Sequence, residues 1–317
     1  MIGSVYICAA PRSGSTLLDL LLGAHPQMVA VGELNHLPKN IALGTVCSCG
    51  QTVRECPFWM PIVDRIGAEL GRDLWSDPYA LDLGFVRAAV QVDRRRQTRG
   101  YLLRRMASVA RVEVAHRLNM DLARSPWLAG FRQTIGHLIH LHRVIREVSG
   151  ARVVVDANKG FRHSVSHYRM RPDDTRLIVL SRDGRGVMAS YMRSGRSRED
   201  ALRQWEKYYE RALPWIERHV DRAHVLHLRY EDVVSDPQAA IGRVVEFLGL
   251  DPVGEPSGQV PRQTHILNGN KMRLAPLSEI KLDERWRTEL SVDDQAYFLS
   301  HGVKMSARLG HELTPGL

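Results

Sequence analysis

Short unbroken apolar runs stand near both ends of this chain, separated by a middle with a different rhythm. Val5-Tyr6-Ile7-Cys8-Ala9 is the first run, and it stops at Pro11-Arg12-Ser13-Gly14-Ser15-Thr16. A short apolar run bounded by turn residues predicts a strand buried on both faces, as in a parallel sheet. Thr16 to Gly23, with Leu17, Leu18, Leu20, Leu21 and Leu22, predicts an apolar helix closing at the glycine. His25-Pro26 is a turn, and Met28 to Val31 is a second strand broken by Gly32. Strand, loop, helix and strand make a βαβ unit.

From about residue 40 to 150 the spacing becomes helical. The pattern predicts helices over roughly Phe85 to Leu122 and Trp127 to Ser149. The second carries Leu138, Leu141, Val144, Ile145 and Val148 on one face. The strand rhythm then returns with Arg152 to Asp156, Thr175 to Ser181 and His224 to Leu228. Between and after them helices are predicted from Gly186 to Met192, Glu199 to His219 and Pro237 to Leu248, the last with proline at its start and glycine after its end. The aromatic residues Trp205, Tyr208, Tyr209 and Trp215 read as core. Beyond Asp251 the chain reads as loop, then a terminal helix near Asp293 to Leu309. The expectation is a single α/β domain over 1–317, a central parallel sheet interrupted by a helical insertion at about 60–150.

Composition narrows the partners only a little. Lys and Arg number 44 against 35 Asp and Glu, a net charge of +9 over 317 residues. Such a surplus suits nucleotide phosphates, nucleic acid, a membrane surface or an acidic substrate. Much of it sits in Arg94-Arg95-Arg96 and Arg104-Arg105, which read as a solvated helix face. No aromatic residues interleave with them as stacking platforms, which argues against nucleic acid. The N-terminus lacks the pattern of a secretory signal and no run is long enough to span a membrane, so a cytoplasmic location is expected. Cys8 reads as a buried thiol. Cys47, Cys49 and Cys56 cluster ahead of Pro57-Phe58-Trp59 and could hold a metal with a fourth ligand such as His36, form one bridge, or serve as a structural lid. The spacing matches no standard zinc pattern, and a reducing compartment disfavours a bridge. His137 and His140 read as packing or surface residues, and His25 as the holder of its turn.

Chemistry collects after the strands. Pro11 to Thr16 follows the first, Gly32-Glu33 the second, Asn158-Lys159 the third, Arg182-Asp183 the fourth and Arg229-Tyr230 the fifth. Parallel sheets bind ligands at these carboxyl ends. In the first loop Ser13, Gly14, Ser15 and Thr16 offer N–H and hydroxyl donors at a helix N-terminus, and Arg12 adds a guanidinium. It is no Walker A loop, because Ala9 stands at its first glycine position and Ser15 at its lysine. That suits a nucleotide 5′-phosphate better than a magnesium triphosphate, for which Asp156 and Asp183 are the strand-end carboxylates. Arg182 with Ser190, two turns into the next helix, could clamp a second phosphate. An ATP-dependent P-loop kinase and a non-catalytic adenine-nucleotide-binding protein are the rival readings.

Together these residues resemble the sulfotransferases that use 3′-phosphoadenosine-5′-phosphosulfate (PAPS). Pro11 to Leu18 is similar to their 5′-phosphosulfate loop, and Arg182 to Ser190 to their 3′-phosphate element. Ala24-His25-Pro26, Gly32-Glu33, Asn158-Lys159 and Tyr230-Glu231 resemble the tyrosylprotein sulfotransferases and their bacterial relatives. His265 to Arg273 is similar to the late loop of bacterial members, and the cysteine cluster also recurs there. The motifs cover about 1–60 and 150–275. The resemblance implies a P-loop-like three-layer fold, PAPS as co-substrate, no metal, and an acceptor hydroxyl on a carbohydrate, glycolipid, phenol or tyrosine. It implies Glu33 as base, with Lys159 and Arg12 on the transferring group. Arg12 to Thr16 would hold the 5′-phosphate, Arg182 and Ser190 the 3′-phosphate, Lys271 or Arg273 would cover it, and Tyr230 would contact the nucleotide. Acceptor choice falls to the helical insertion. Oligomeric state is left open.

Overall fold

The computed structural model describes residues 1–84, 99–120, 122, 125, 128–252, 264–274 and 280–313. Arg94 to Arg96 and the side chains of Arg104 and Arg105 lie outside the described residues, as does the N-terminal part of the helix expected from Phe85.

Five strands form one all-parallel sheet: β1 (Ser4–Ala9), β2 (Met28–Ala30), β3 (Val153–Asp156), β4 (Thr175–Ser181) and β5 (Val225–Arg229). Their order is β2-β3-β1-β4-β5. Both faces are covered, which explains why the strands read as continuous apolar runs. Val5, Ile7 and Ala9 of β1 enter one core with α1 (Ser15–Leu22) and, near the C-terminal half, Val244 and Leu248. Tyr6 and Cys8 enter the opposite core.

That second core holds most of the helices. Between β2 and β3 come α2 (Leu37–Leu43), α3 (Trp59–Leu70), α4 (Arg99–Arg117) and α5 (Ala129–Ser149). α5 packs on α3, on β3 and on α6 (Phe161–Met170). After β4 follow α7 (Gly184–Met192) and α8 (Arg198–His219), packed together. Trp205 and Tyr209 of α8 are fully buried, as core reading requires. β5 runs into α9 (Tyr230–Ser235) and α10 (Pro237–Leu248). Near the C-terminus, α11 (Trp286–Glu289), α12 (Val292–His301) and α13 (Val303–Arg308) replace the one expected terminal helix, with Gly302 between the last two.

Among the helices that the sequence pattern did not anticipate, α6 is the instructive one. It buries His163, Ser164, Ser166 and His167, so hydrophobic periodicity does not mark it. Two of its polar groups find partners far along the chain. His167 Nδ1 meets Tyr6 Oη at 2.6 Å, and Ser164 Oγ meets Cys8 Sγ at 3.2 Å. The histidines of α5 likewise find partners elsewhere: His140 pairs with Glu69, and His142 lies 3.5 Å from Asp156. No sequence pattern marks these carboxylate partners. His25 does hold its turn, bonding Gln27 N at 3.2 Å and Asp251 O at 3.2 Å.

Candidate active site

The order of the sheet reverses beside β1, where the chain leaves β3 on one side and resumes at β4 on the other. A crevice at the carboxyl ends of the strands is expected there, and a cleft of about 820 Å³ opens at that point.

Its floor is the loop from Ala10 to Gly14. Ser13 N–H donates to Ala10 O at 3.2 Å, closing the turn. Arg12 and Gly14 both take left-handed backbone conformations, with φ of 74° and 87°. For Gly14 this is the N-cap of α1, and a Cβ there would fall 2.4 Å from Tyr230 Cδ2. No side chain caps α1, so Gly14, Ser15 and Thr16 bring the helix N-terminus to the cleft. Tyr209 anchors the loop from below: its hydroxyl donates to Leu180 O at 2.8 Å and receives Ala10 N–H at 3.3 Å. The Ser13 hydroxyl turns toward Tyr209 at 3.4 Å, away from the cleft.

Glu33 and Lys159 meet at one end. Lys159 Nζ donates to Glu33 Oε1, and His36 Nε2 lies 3.5 Å from Glu33 Oε2. Burial alone would raise the carboxyl pKa. The hydrogen bond to His36 and the charge and hydrogen bond of Lys159 outweigh it and hold Glu33 down at about 2. Both loops are pinned by one buried side chain: Asp156 Oδ1, at the end of β3, accepts Leu34 N–H at 3.3 Å and Asn158 N–H at 2.9 Å. Asp156 is thus a positioning residue, wholly buried rather than turned to the cleft.

The other end is lined by arginines. Arg182 is 7 % exposed, stands 4.4 Å over the Tyr230 ring and donates to Arg12 O at 3.2 Å. Its guanidinium pairs with Asp283 at 3.1 Å. Arg285 grips the same carboxylate at 2.7 and 2.8 Å, and Arg193 lies 3.9 Å away. The bonds from Arg285 and Arg182 push the Asp283 carboxyl far below its ordinary range. The turn after β4 is set by Asp183, which caps α7 and pairs with Arg185 at 2.7 Å, and by Glu231, which accepts Asp183 N–H at 3.0 Å.

Of the residues expected from the sequence, Arg12, Gly14, Ser15, Thr16, Glu33, Lys159, Arg182, Ser190 and Tyr230 line this one cleft. Lys271 and Arg273 do not. Lys271 is exposed, and Arg273 Nη1 turns toward the cysteine loop, donating to Val46 O and Ile266 O at 3.1 Å each. Their neighbours Asn268, Gly269 and Asn270 form the wall instead, and Asn270 N–H donates to Thr16 Oγ1 at 3.1 Å. The lining also includes Lys39, Arg193, Asp283 and Arg285. Lys39 lies two short turns beyond Glu33, a spacing that could have flagged it. Asp283 and Arg285 carry no sequence signal, being placed by the return of the C-terminal segment. His36, considered above as a metal ligand, belongs to Glu33; the side chain that joins Cys47, Cys49 and Cys56 is His265.

Among the described residues no helix is long and apolar enough to cross a membrane. No curated protein sequence matches the chain. Two solved structures share its fold over nearly its whole length. The sulfotransferase domain from the curacin biosynthetic pathway is 18 % identical, with a TM-score of 0.52 and coverage of 99 % of each chain. The sulfotransferase domain of the Synechococcus PCC 7002 olefin synthase is 20 % identical, with a TM-score of 0.51 and coverage of 98 % of this chain and 95 % of that one. The profile of the sulfotransferase family matches residues 82–254, taking in much of the helical region where the sequence motifs were silent. That match spans more than half the chain, and with it the chain belongs to the sulfotransferase family.

Proposed function

We propose that the cleft transfers a sulfuryl group from PAPS to an acceptor hydroxyl by in-line displacement, with Glu33 as the general base. The observation that carries this reading is the Glu33–Lys159 pair facing the phosphate-binding turn across one cleft. Sulfuryl transfer resembles phosphoryl transfer, where catalysis rests on positioning and charge stabilisation. The 5′-phosphate would sit on the N–H groups of Gly14, Ser15 and Thr16. The 3′-phosphate would take Arg182 and Ser190, with Arg193 and Arg285 beside them.

The ion pair gives Lys159 and Glu33 linked roles. Paired as here, Glu33 is too weak a base to take a hydroxyl proton. An anionic donor in the cleft draws Lys159 toward the transferring group and the bridging oxygen, where charge develops. Glu33 then keeps its burial and loses its main cation, so its pKa rises toward the range a base needs. His36 and Lys39 place the acceptor near Glu33. α2, which carries Lys39, packs against the turn Pro78–Ala80 at the start of the helical region, and we assign acceptor choice to that side of a single domain. A carbohydrate, glycolipid, phenol or tyrosine hydroxyl fits this chemistry, in a cytoplasmic setting.

The ATP-kinase reading is disfavoured by the engagement of both strand-end carboxylates, Asp156 by backbone N–H groups and Asp183 by Arg185. Turnover of labelled PAPS against an acceptor panel tests the proposal. Glu33→Gln should retain adenosine 3′,5′-bisphosphate and lose about 10²–10⁴-fold in turnover. Full activity in that variant would remove Glu33 as the base, and a wild-type protein that binds the nucleotide but sulfates nothing would favour the non-catalytic reading.

A further inference from the structure

Beside the cleft, four soft donors converge from two distant segments. Cys47, Cys49, Cys56 and His265 place their ligand atoms within 4.8 Å of one another. The Sγ–Sγ separations are 3.6 Å for Cys49 to Cys56 and 3.7 Å for Cys56 to Cys47. His265 Nδ1 lies 3.3 Å from Cys56 Sγ and 3.9 Å from Cys47 Sγ. A tetrahedral zinc ion, with Zn–S of about 2.3 Å and Zn–N of about 2.0 Å, spaces its donors by about 3.8 Å (S to S) and about 3.5 Å (S to N). The four measured edges lie within about 0.4 Å of those values. We propose that Cys47, Cys49, Cys56 and His265 hold one structural zinc ion that staples the late segment to the cysteine loop.

The backbone is arranged for thiolates. A bridge between Val46 and Thr52, with Cys47 N–H donating to Gln51 O at 2.8 Å and Gly50 N–H to Cys47 O at 2.9 Å, folds the first two cysteines into a tight knuckle. The N–H of Cys49 points at Cys47 Sγ, and those of Phe58 and Trp59, at the start of α3, point at Cys56 Sγ. The imidazole is fixed as well. The Phe58 ring stacks on it with centroids 4.9 Å apart and planes 8° apart, and Trp59 Nε1 donates to His265 O at 2.7 Å.

Charge also fits. Binding releases the protons of three thiols, and three thiolates, a neutral imidazole and Zn²⁺ leave one net negative charge. Arg273, bonded to the carbonyls of Val46 and Ile266 next to two of the ligands, stands ready to balance it. This accounts for the arginine that turned from the cleft. The staple has a consequence for the donor side: three residues after His265 the chain reaches Asn268, Gly269 and Asn270, which wall the cleft over Thr16. The metal site stands whether or not the cleft takes PAPS.

Metal content of the full-length protein, expressed with added zinc and purified under reducing conditions, is the test. About one zinc per chain is expected. Cobalt(II) in its place should give an intense thiolate-to-metal charge-transfer band and tetrahedral ligand-field bands. Cys56→Ser and His265→Ala should lose stoichiometric metal, while Cys8→Ala, whose thiol lies by Ser164, should keep it. Should the ligand variants fail to fold, stripping the wild-type protein with a chelator gives the second measurement: three thiols become reactive and residues 264–274 become open to proteolysis, both reversed by zinc. Folded, reduced protein with less than about a tenth of an equivalent of zinc and no cobalt charge-transfer band would overturn the proposal, as would a mass two hydrogens short of four free thiols in protein purified without reductant.

Discussion

The two ends of the cleft are each closed by a carboxylate against cations, yet the two carboxylates have opposite standing. At one end Glu33 is gripped by Lys159 and His36; at the other Asp283 is gripped by Arg182 and Arg285. In the proposed reaction Glu33 is the group that acts, and its cation must move. Asp283 is the group in the way, because it occupies the arginines a phosphate would need. The same kind of contact therefore serves as a reserve of reactivity in one place and as a counterion awaiting exchange in the other. Mutations that look equivalent on paper should separate them.

Lys159→Met should have the largest effect. It removes a cation from the transferring group, and a loss of about 10²–10³-fold in kcat is expected. It also strips Glu33 of its partner while leaving it buried, so the acid limb of the pH–rate profile should move upward from that of the wild type. A drop in kcat with an unmoved acid limb would show that Lys159 acts on the donor alone and that the ion pair has no bearing on the base.

Acid should separate the site from the core. Both cleft carboxylates stay ionised well below pH 4 while their partners hold them. The buried histidines give way first. Burial, with Arg169 nearby, lowers His116 to about 3, and burial lowers His311 to about 4. His167 is pushed far below its ordinary value by burial and by His142. A histidine whose folded pKa is depressed costs nothing above pH 6.5, where both states are neutral. As pH falls below 6.5 the unfolded chain takes protons the folded one refuses, so stability declines from there to the folded pKa. His116 alone withdraws on the order of 3 kcal/mol by pH 4. Urea midpoints should fall steadily from pH 6.5 to 4, with activity loss following unfolding. Constant midpoints across that window would show that these rings are not neutral in the folded protein.

Gly14→Ala probes the floor that both ends share. The new methyl meets Tyr230 at a distance no real contact shows, on a backbone that side chains rarely adopt. Left-handed strain costs about 1–2 kcal/mol before the clash is counted, so loss of nucleotide binding with a lowered melting temperature is expected. Unchanged binding by calorimetry would mean that the turn does not hold the donor.

How far the sequence could be read follows from the same contrast. The sheet was legible because its strands are apolar on both faces and stop at turn residues, and nine cleft-lining residues were legible because each follows a strand or lies within two turns of a helix start. What escaped was held by long-range pairing. Asp283 and Arg285 reach the cleft only through the C-terminal return, His265 reaches the cysteines from a segment more than two hundred positions away, and α6 hides its histidines behind partners in β1 and α5. Arg273 was misplaced for the same reason: a cation near a phosphate motif reads as a phosphate ligand until the carbonyls of Val46 and Ile266 are seen to take it.

Asp283→Asn should have the smallest effect and the most telling sign. Removing the charge frees Arg182 and Arg285 for an anion, so the affinity for adenosine 3′,5′-bisphosphate should rise by about 5–10-fold, at the lower end of typical coupling energies. The same change leaves Arg182, almost fully buried, without its counterion, so the unliganded protein should melt lower. Binding improves while stability falls, a combination that a merely structural aspartate would not produce. The gain should shrink with added salt, since the freed arginines are also screened. If the variant instead bound the nucleotide more weakly, Asp283 would be a holder that keeps the guanidinium groups aimed, and the two ends of the cleft would be alike in needing their carboxylates in place.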